Sequence, residues 1–140
     1  MAQATETVKT TGSTNPTETV IDRYITIFDR MAHNPAAVEE LQPLFAPDAT
    51  VQLAQGLEPV TGLPAIMEIY RNFTSVMADS QHFWTSTVLD DGRIECHWVQ
   101  AARGTDGSLA TQTGIEHATV NADGQITDLR NRMVDPTGRA

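Results

Sequence analysis

The segment GIEHATV, residues 114–120, places an acidic side chain among small, apolar neighbours. It alternates as a β-strand does, so Glu116 shares one face with Gly114, Ala118 and Val120. Burial on such a face disfavours the ionised carboxylate, and a protonated carboxyl group can donate a hydrogen bond or exchange a proton with a ligand. The alternative is a structural glutamate that pairs with an arginine or forms hydrogen bonds within the sheet.

Tyr24 and His82 are two further groups suited to acid–base chemistry. Tyr24 belongs to a helical stripe of apolar residues, where it is either a hydrogen-bond donor to a ligand or a core tyrosine. His82 begins a predicted strand and shares a face with Trp84 and Ser86. Histidine is the natural general base near neutral pH. The alternative for His82 is an exposed position at the start of the strand.

Asn131 is expected to point inward on the last strand, because it alternates with Leu129 and Met133. A buried amide needs hydrogen-bond partners, and a ligand oxygen is one option. Of the adjacent pair His97 and Trp98, only one can face the interior, and Trp98 is favoured as part of a pocket wall. The histidines lack metal-site spacing, and there is no phosphate-binding loop or nucleophile elbow. We therefore predict no metal and no cofactor.

Three helices are predicted to precede the long strands. The first runs from about 16 to 31 with Asn15 as its cap, the second restarts at Pro35, and the third begins near Pro64. A short strand at 48–54 separates the second helix from the third. The apolar stripe of the third helix consists of Ile66, Tyr70, Phe73 and Met77.

Four long strand candidates follow from residue 80 onward. Asp-Gly turns at 91–92, 106–107 and 123–124 separate them, and these are strong hairpin signals. Four hairpin-linked strands form an antiparallel meander, and helices followed by strands indicate an α+β domain. A strongly bent sheet wrapped over the helices would form a cone with an interior.

Composition and charge narrow the class of protein. The 140 residues suit one domain, predicted over 16–136 after a disordered, Thr-rich leader at 1–15. The net charge of −9 argues against nucleic acid and anionic membranes as partners. One cysteine excludes an internal disulfide. Without a signal segment or a long apolar run, we expect a soluble cytoplasmic protein.

Two stretches carry a family resemblance that spans roughly residues 18–134. The first stretch resembles the opening of ketosteroid isomerases and of the wider nuclear transport factor 2-like, SnoaL-like superfamily. It consists of VIDRYITIFDR and, after it, LQPLFAPDATVQLAQGLEPVTGLPAIMEIYRNF. GIEHATVNADGQITDLRNRMV resembles the last two strands of the same proteins. The resemblance implies a cone-shaped α+β barrel, in which three N-terminal helices pack in a strongly bent antiparallel sheet.

The resemblance also implies site residues. Tyr24 and Glu116 match the tyrosine and the acid that donate hydrogen bonds to an enolate oxygen in ketosteroid isomerases, a site that is a standard example of a protonated acid. The isomerase base is replaced here by Leu53. Tyr24, Asp29 and His82 resemble the set that acts in dehydratases of the superfamily. Five residues on a helix rotate by about 140°, so Asp29 lies at the edge of the apolar stripe, where a solvated aspartate is the alternative.

The function implied is a cofactor-independent acid–base enzyme, an isomerase, dehydratase or cyclase. Its substrate would be a small apolar carbonyl or hydroxyl compound, such as a steroid or a polyketide. The alternative is a non-catalytic module of the same fold that binds small molecules or mediates assembly. A homodimer through the outer sheet faces is also expected. The residues predicted to line the substrate pocket are Leu53, Phe73, Trp84, Trp98, Asn131 and Met133.

Overall fold

The computed structural model describes residues 6–9 and 18–135. Its described elements form one curved sheet with helices packed against one face, which confirms the predicted α+β class. In chain order they are β1 (Glu6–Lys9), α1 (Val20–Met31), a 3₁₀ helix (Pro35–Leu44), β2 (Phe45–Gln52), β3 (Val60–Thr61), α2 (Leu63–Val76), β4 (Met77–Val88), β5 (Ile94–Gly104), β6 (Leu109–Val120) and β7 (Ile126–Met133).

The sheet has the strand order β1-β4-β5-β6-β7-β2-β3. Strands β4 to β7 form the predicted antiparallel meander. Gly92, Gly107 and Gly124 in the connecting turns have φ values of 89°, 86° and 79°, a region that favours glycine. The sheet is not wholly antiparallel, however, because β2 pairs with β7 in parallel. That pairing is possible because the long segment between these two strands supplies the crossover that parallel neighbours require.

Helix α1 begins later than predicted. Thr19 is its N-cap: Oγ1 of Thr19 accepts a hydrogen bond from the backbone N–H of Asp22 at 3.2 Å, and the Thr19 N–H donates to Oδ2 of Asp22 at 2.8 Å. This reciprocal capping box satisfies two backbone donors, so the start at about residue 16 was wrong. The proposed cap, Asn15, lies outside the described residues. The second predicted helix is a 3₁₀ helix, with Pro43 in its interior.

Four residues of the expected leader lie within the described part of the structure. Residues Glu6–Lys9 pair antiparallel with β4 opposite Thr87, Ser86, Thr85 and Trp84, and the disorder of the leader stays a prediction. Without β1, strand β4 would be the edge of the sheet, and an edge strand presents unpaired backbone groups that another segment can satisfy. The other residues of the 1–15 leader, and both predicted domain limits at 16 and 136, lie outside the described residues.

The core lies between the helices and the inner face of the sheet. Strands β4 to β6 alternate buried and exposed side chains, and the buried set points to α1 and α2. The largest fully buried side chains include Ile21, Met31, Leu41, Phe45 and Tyr70. In the described part of the chain, no helix combines the length and apolar character needed to cross a membrane.

Candidate active site

A cavity of about 360 Å³ lies between the helices and the inner face of the sheet. This volume is at the small end of the usual range for ligand pockets. Its wall, as far as the structure describes it, contains no arginine or lysine side chain. Eight of the residues predicted to form the site line it: Tyr24, Leu53, Phe73, His82, Trp98, Glu116, Asn131 and Met133.

His82 and Asp29 form a buried pair at this cavity. Nδ1 of His82 lies 2.7 Å from Oδ1 of Asp29, and the backbone N–H of His82 donates to Oδ2 of Asp29, also at 2.7 Å. Ser80 donates its hydroxyl hydrogen to Oδ1 of Asp29 at 2.7 Å. Asp29 is only 2% exposed, so it is not the solvated aspartate that was the alternative. It lies behind His82, and the imidazole ring faces the cavity.

The contacts of Asp29 determine which ring nitrogen of His82 carries the proton. An ionised carboxylate only accepts hydrogen bonds, so Nδ1 of the neutral ring must carry the proton. The lone pair of the neutral ring is then on Nε2. The ring is held edge-on between Phe28 and Trp98, at centroid distances of 5.6 and 5.4 Å. This arrangement leaves an oriented proton acceptor at the cavity wall.

Glu116 lines the same cavity from β6. It is 5% exposed and makes no hydrogen bond or ion pair with any described residue. Burial raises its pKa to about 8, which keeps the carboxyl group protonated at neutral pH. Arg130 pairs with Asp128 instead, and Arg132 is exposed, so the alternative of an arginine partner does not occur in the described structure.

Tyr24 contacts a second tyrosine, Tyr70. The sequence analysis placed Tyr70 in the apolar stripe of the third helix and did not assign it to the site. The hydroxyl oxygens of Tyr24 and Tyr70 lie 2.9 Å apart, and the two rings meet edge to face. Burial, with the nearby Tyr70 and Glu116, raises the pKa of Tyr24 well above its ordinary value. Burial also raises the pKa of Tyr70. Both hydroxyls therefore stay protonated, and Tyr24 can donate into the cavity while it accepts from Tyr70.

Trp98 and Asn131 build one wall of the cavity. Trp98 donates its indole N–H to Oδ1 of Asn131 at 2.9 Å, and the Asn131 amide donates to the carbonyl oxygen of Leu53 at 2.9 Å. The indole lies against Gly114, where a Cβ atom would come within 2.7 Å of Cζ2 of Trp98. The space beside Gly114 is therefore occupied by Trp98 and not by a ligand.

Trp84 does not contribute to the cavity, contrary to the prediction. It lies opposite Trp98 in the β4–β5 pairing, but its indole N–H donates to Oδ1 of Asp22 at 2.8 Å. Ser86 donates to the same carboxylate oxygen at 2.9 Å. Asp22 also caps α1, so this buried carboxylate has a structural role and draws Trp84 away from the cavity.

The remaining histidines on the long strands lie on the outer face of the sheet. His97 and His117 flank Glu95, with Nε2 to carboxylate distances of 3.3 and 2.9 Å. Among the described residues, no cluster of histidine, cysteine and acidic side chains is arranged to hold a metal ion. Cys96 lies beside Glu116 in the β5–β6 pairing and is fully buried.

Known proteins of similar structure share this architecture. An NTF2-like protein of unknown function from Exiguobacterium sp. 255-15 is 29% identical, with a TM-score of 0.73, over 84% of this chain and 99% of that chain. A Mycobacterium tuberculosis protein in complex with estradiol-17beta-hemisuccinate is 15% identical, with a TM-score of 0.66, over 81% and 93%. A steroid delta-isomerase from Pseudomonas aeruginosa is 20% identical, with a TM-score of 0.59, over 89% and 87%.

No curated protein matches the sequence. The family model described as "SnoaL-like domain" matches residues 21–129, which include α1 except its first residue, all of α2 and every strand from β2 to β6. The two structures that are 20% identical or less show a shared fold. The family model covers well over half of the sequence, and this protein therefore belongs to the SnoaL-like domain family.

Proposed function

We propose that this protein is a cofactor-independent enzyme that moves protons on a small, largely apolar carbonyl or hydroxyl compound, such as a steroid or a polyketide. One observation carries the proposal: a buried carboxyl group without a partner in the described structure, Glu116, lines the same cavity as the His82 ring that Asp29 orients. An acid that stays protonated and a base with a free lone pair are the two groups that enolisation needs.

Tyr24 and Glu116 would hold the substrate oxygen. Both are protonated donors at neutral pH, and both line the cavity. A carbonyl oxygen that accepts both hydrogen bonds gains negative charge when the neighbouring carbon loses a proton. Hydrogen-bond donors that already point at that oxygen stabilise the enolate without any reorganisation of the site. One such donor lowers the free energy of the transition state by roughly 3–4 kcal/mol. Tyr70 would strengthen the Tyr24 donor through its own hydrogen bond.

His82 would be the base. Nε2 takes the proton from the carbon next to the carbonyl, and the electron pair of the broken C–H bond moves onto the oxygen held by Tyr24 and Glu116. Three outcomes conserve atoms and electrons. In isomerisation the imidazolium returns the proton to another carbon, and in dehydration it protonates a departing hydroxyl. In cyclisation the enolate carbon attacks the carbon of a second carbonyl, and the imidazolium protonates the alkoxide that forms. By the resemblance to ketosteroid isomerases, Leu53 stands where those enzymes have their carboxylate, and we therefore assign the role of the base to His82.

Proton abstraction can be tested without knowledge of the natural substrate. Androst-5-ene-3,17-dione incubated with the protein in D₂O should gain deuterium next to its 3-carbonyl, and proton NMR measures this directly. We expect His82→Gln and Glu116→Ala to slow the exchange by about 10²-fold or more. His97→Gln, on the outer face, is the matched control and should exchange at the wild-type rate. Unchanged exchange in both cavity variants would reject the proposed chemistry.

A non-catalytic binding module is the second candidate. It is favoured by Leu53, an apolar side chain in the cavity wall at the position where the resembled isomerases have their proton-moving carboxylate. A module of this kind would bind the steroid by equilibrium dialysis but would leave its carbon-bound protons unexchanged in D₂O. Tight binding with no exchange above the buffer rate would therefore select the module over the enzyme.

A further inference from the structure

Two serines of β4 contact two carboxylates of α1 in the same way. Ser80 donates its hydroxyl hydrogen to Oδ1 of Asp29 at 2.7 Å, and Ser86 donates to Oδ1 of Asp22 at 2.9 Å. Both serines are buried. The two contacts differ in what else the carboxylate holds, because Asp29 also binds the ring of the proposed base, His82. The proposed chemistry assigns no role to Ser80, which does not line the cavity.

One carboxylate oxygen is shared between Ser80 and His82. Oδ1 of Asp29 lies 2.7 Å from Oγ of Ser80 and 2.7 Å from Nδ1 of His82. Oδ2 of Asp29 accepts the backbone N–H of His82, also at 2.7 Å. The serine hydroxyl and the imidazole ring therefore both donate to the same negatively charged oxygen.

Gln100 fixes the direction of the Ser80 hydroxyl group. It pairs with His82 in the register of β4 and β5, so its amide lies in the row of the proposed base. Nε2 of Gln100 lies 2.9 Å from Oγ of Ser80. An ionised carboxylate only accepts hydrogen bonds, so Ser80 must give its single hydroxyl proton to Asp29 and accept from the NH₂ group of Gln100. The contact with Gln100 thus uses the acceptor side of Ser80 and leaves its proton for Asp29.

The hydrogen bond from Ser80 weakens the hold of Asp29 on a protonated ring. A donor draws negative charge away from the oxygen that it contacts, and water does not screen this effect in a buried site. When Nε2 of His82 takes a proton, the ring becomes a cation beside the Asp29 carboxylate, which stabilises it. With less charge on Oδ1, the cation is stabilised less, and the ring gives up its proton more readily.

Other titratable groups surround this pair, but Asp29 is the carboxylate that contacts the ring of His82 in the described structure. The second carboxylate of α1, Asp22, contacts Trp84 and Ser86 instead. Asp79 pairs with an arginine of β5 at the surface. Burial raises the pKa of four further groups and keeps them neutral at pH 7: Tyr24 of α1, Tyr70 of α2, Cys96 of β5 and Glu116 of β6.

We propose that Ser80 is a positioning residue for the base: its hydroxyl group withdraws charge from Asp29, so that His82 gives up its proton more readily, and Gln100 holds the hydroxyl group in this orientation. The inference rests on the proposed function, because that function makes His82 the base. It gives a buried serine outside the cavity wall a part in the proton transfer.

The proton affinity of the ring can be measured without any substrate. In full-length protein labelled with ¹⁵N-histidine, NMR follows the protonation of each ring as the pH changes, and the signals lost in His82→Gln identify the ring of His82. In Ser80→Ala, the midpoint of the His82 titration should rise by about one pH unit, because a hydrogen bond to a charged group contributes about that much. The acidic limb of the deuterium-exchange profile should rise with it, and the alkaline limb should stay in place.

Ser86→Ala is the matched control. It removes the same kind of hydrogen bond from Asp22, so it should lower the melting temperature and leave the His82 midpoint at the wild-type value. Ser80→Cys keeps the shape of serine with only a weak donor, so its midpoint should also rise, and it replaces Ser80→Ala if that variant does not fold. An unchanged or lower midpoint in a folded Ser80 variant, or an equal rise in Ser86→Ala, would overturn the proposal.

The two proposals fail in different measurements. Deuterium exchange tests whether His82 acts as a base, and the NMR titration tests whether Ser80 sets the proton affinity of its ring. A midpoint that rises in Ser80→Ala, without any exchange in the wild type, would reject only the catalytic role. Exchange that depends on His82, with the same midpoint in both proteins, would reject only the role of Ser80.

Discussion

Nδ1 of His82 lies 2.7 Å from Oδ1 of Asp29, and both side chains are buried. Two elements create this contact: α1 carries the carboxylate and β4 carries the ring. The same helix carries Asp22 two turns earlier, where β4 presents Trp84 and Ser86 to it. The helix and the strand are therefore joined by two carboxylate sites, one that faces the cavity through His82 and one that is structural.

The first prediction concerns the tautomer of His82. In Asp29→Asn, the new amide can donate to Nδ1, which moves the ring proton to Nε2 and removes the lone pair from the cavity. We expect deuterium exchange to fall by about 10²-fold or more, and ¹⁵N NMR of the ring should report the changed tautomer. Asp22→Asn is the matched control: it should lower the melting temperature and leave the His82 tautomer unchanged. An unchanged tautomer in Asp29→Asn would contradict the assignment.

The second prediction concerns stability and pH. The folded-state pKa of Glu116, about 8, lies above its ordinary value of 4.5 because of burial. Its contribution to stability is therefore complete below about 4.5 and is lost as the pH rises through about 8, a span worth roughly 4–5 kcal/mol. Glu116→Gln should remove this loss. Urea denaturation of the wild type and of Glu116→Gln at pH 5 and pH 9 measures the loss of stability. If the free energy of unfolding depended on pH in the same way in the two proteins, the argument that burial raises the pKa of Glu116 would be contradicted.

The third prediction concerns activity and pH. Glu116 must be protonated to donate a hydrogen bond to the substrate oxygen, so the exchange rate should fall as the pH rises above about 8. Glu116→Gln keeps a donor at every pH, and its lower rate should not show this alkaline fall. Rates between pH 6 and pH 10 provide the comparison. A fall above pH 8 that persists in Glu116→Gln would assign it to another group.

The fourth prediction concerns Gly114. Its Cβ in Gly114→Ala would lie 2.7 Å from Cζ2 of Trp98 and 2.9 Å from the backbone carbonyl oxygen of Arg132, so the indole must move into the cavity. We expect a loss of about 1–3 kcal/mol in stability and weaker steroid binding. Trp98→Phe in the same chain should recover part of the lost stability, because the smaller ring leaves room for the methyl group. Chemical denaturation of both single variants and the double variant gives the coupling between the sites. Strictly additive losses would contradict the proposed contact.

The fifth prediction concerns assembly. Phe83 and Val99 pair across β4 and β5 on the outer face, and they are 54% and 49% exposed. We expect a homodimer in which this face packs against a second copy. Val99→Glu should produce a monomer, because the dimer would have to bury a new negative charge at its interface. The protein already has a net charge of −9, so this charge would be repelled as well as desolvated. Light scattering measures the mass, and a wild-type monomer at tens of micromolar would exclude the dimer.

The sequence was sufficient for the α+β class and for the faces of the strands, because both depend on local patterns. The alternation in GIEHATV and the Asp-Gly turns are patterns of only a few residues. The structure contains the alternating faces and the hairpins that these patterns predict, in strands β4 to β7. The start of α1 was placed too early because Asn15 was interpreted as its cap. The capping pair is Thr19 and Asp22.

Tertiary structure decided which inward-facing groups meet. Trp84 and Trp98 both belong to the inner face, but the N-terminus of α1 draws Trp84 to Asp22, and only Trp98 lines the cavity. The contact between Asp29 and His82 joins residues 53 positions apart, and no local period encodes it. It depends on how α1 crosses β4, and that crossing is set by packing of the whole core against the sheet. The alternation of residues along each strand therefore specified which side chains face inward. The packing of the helices on the sheet specified which of those side chains contact one another.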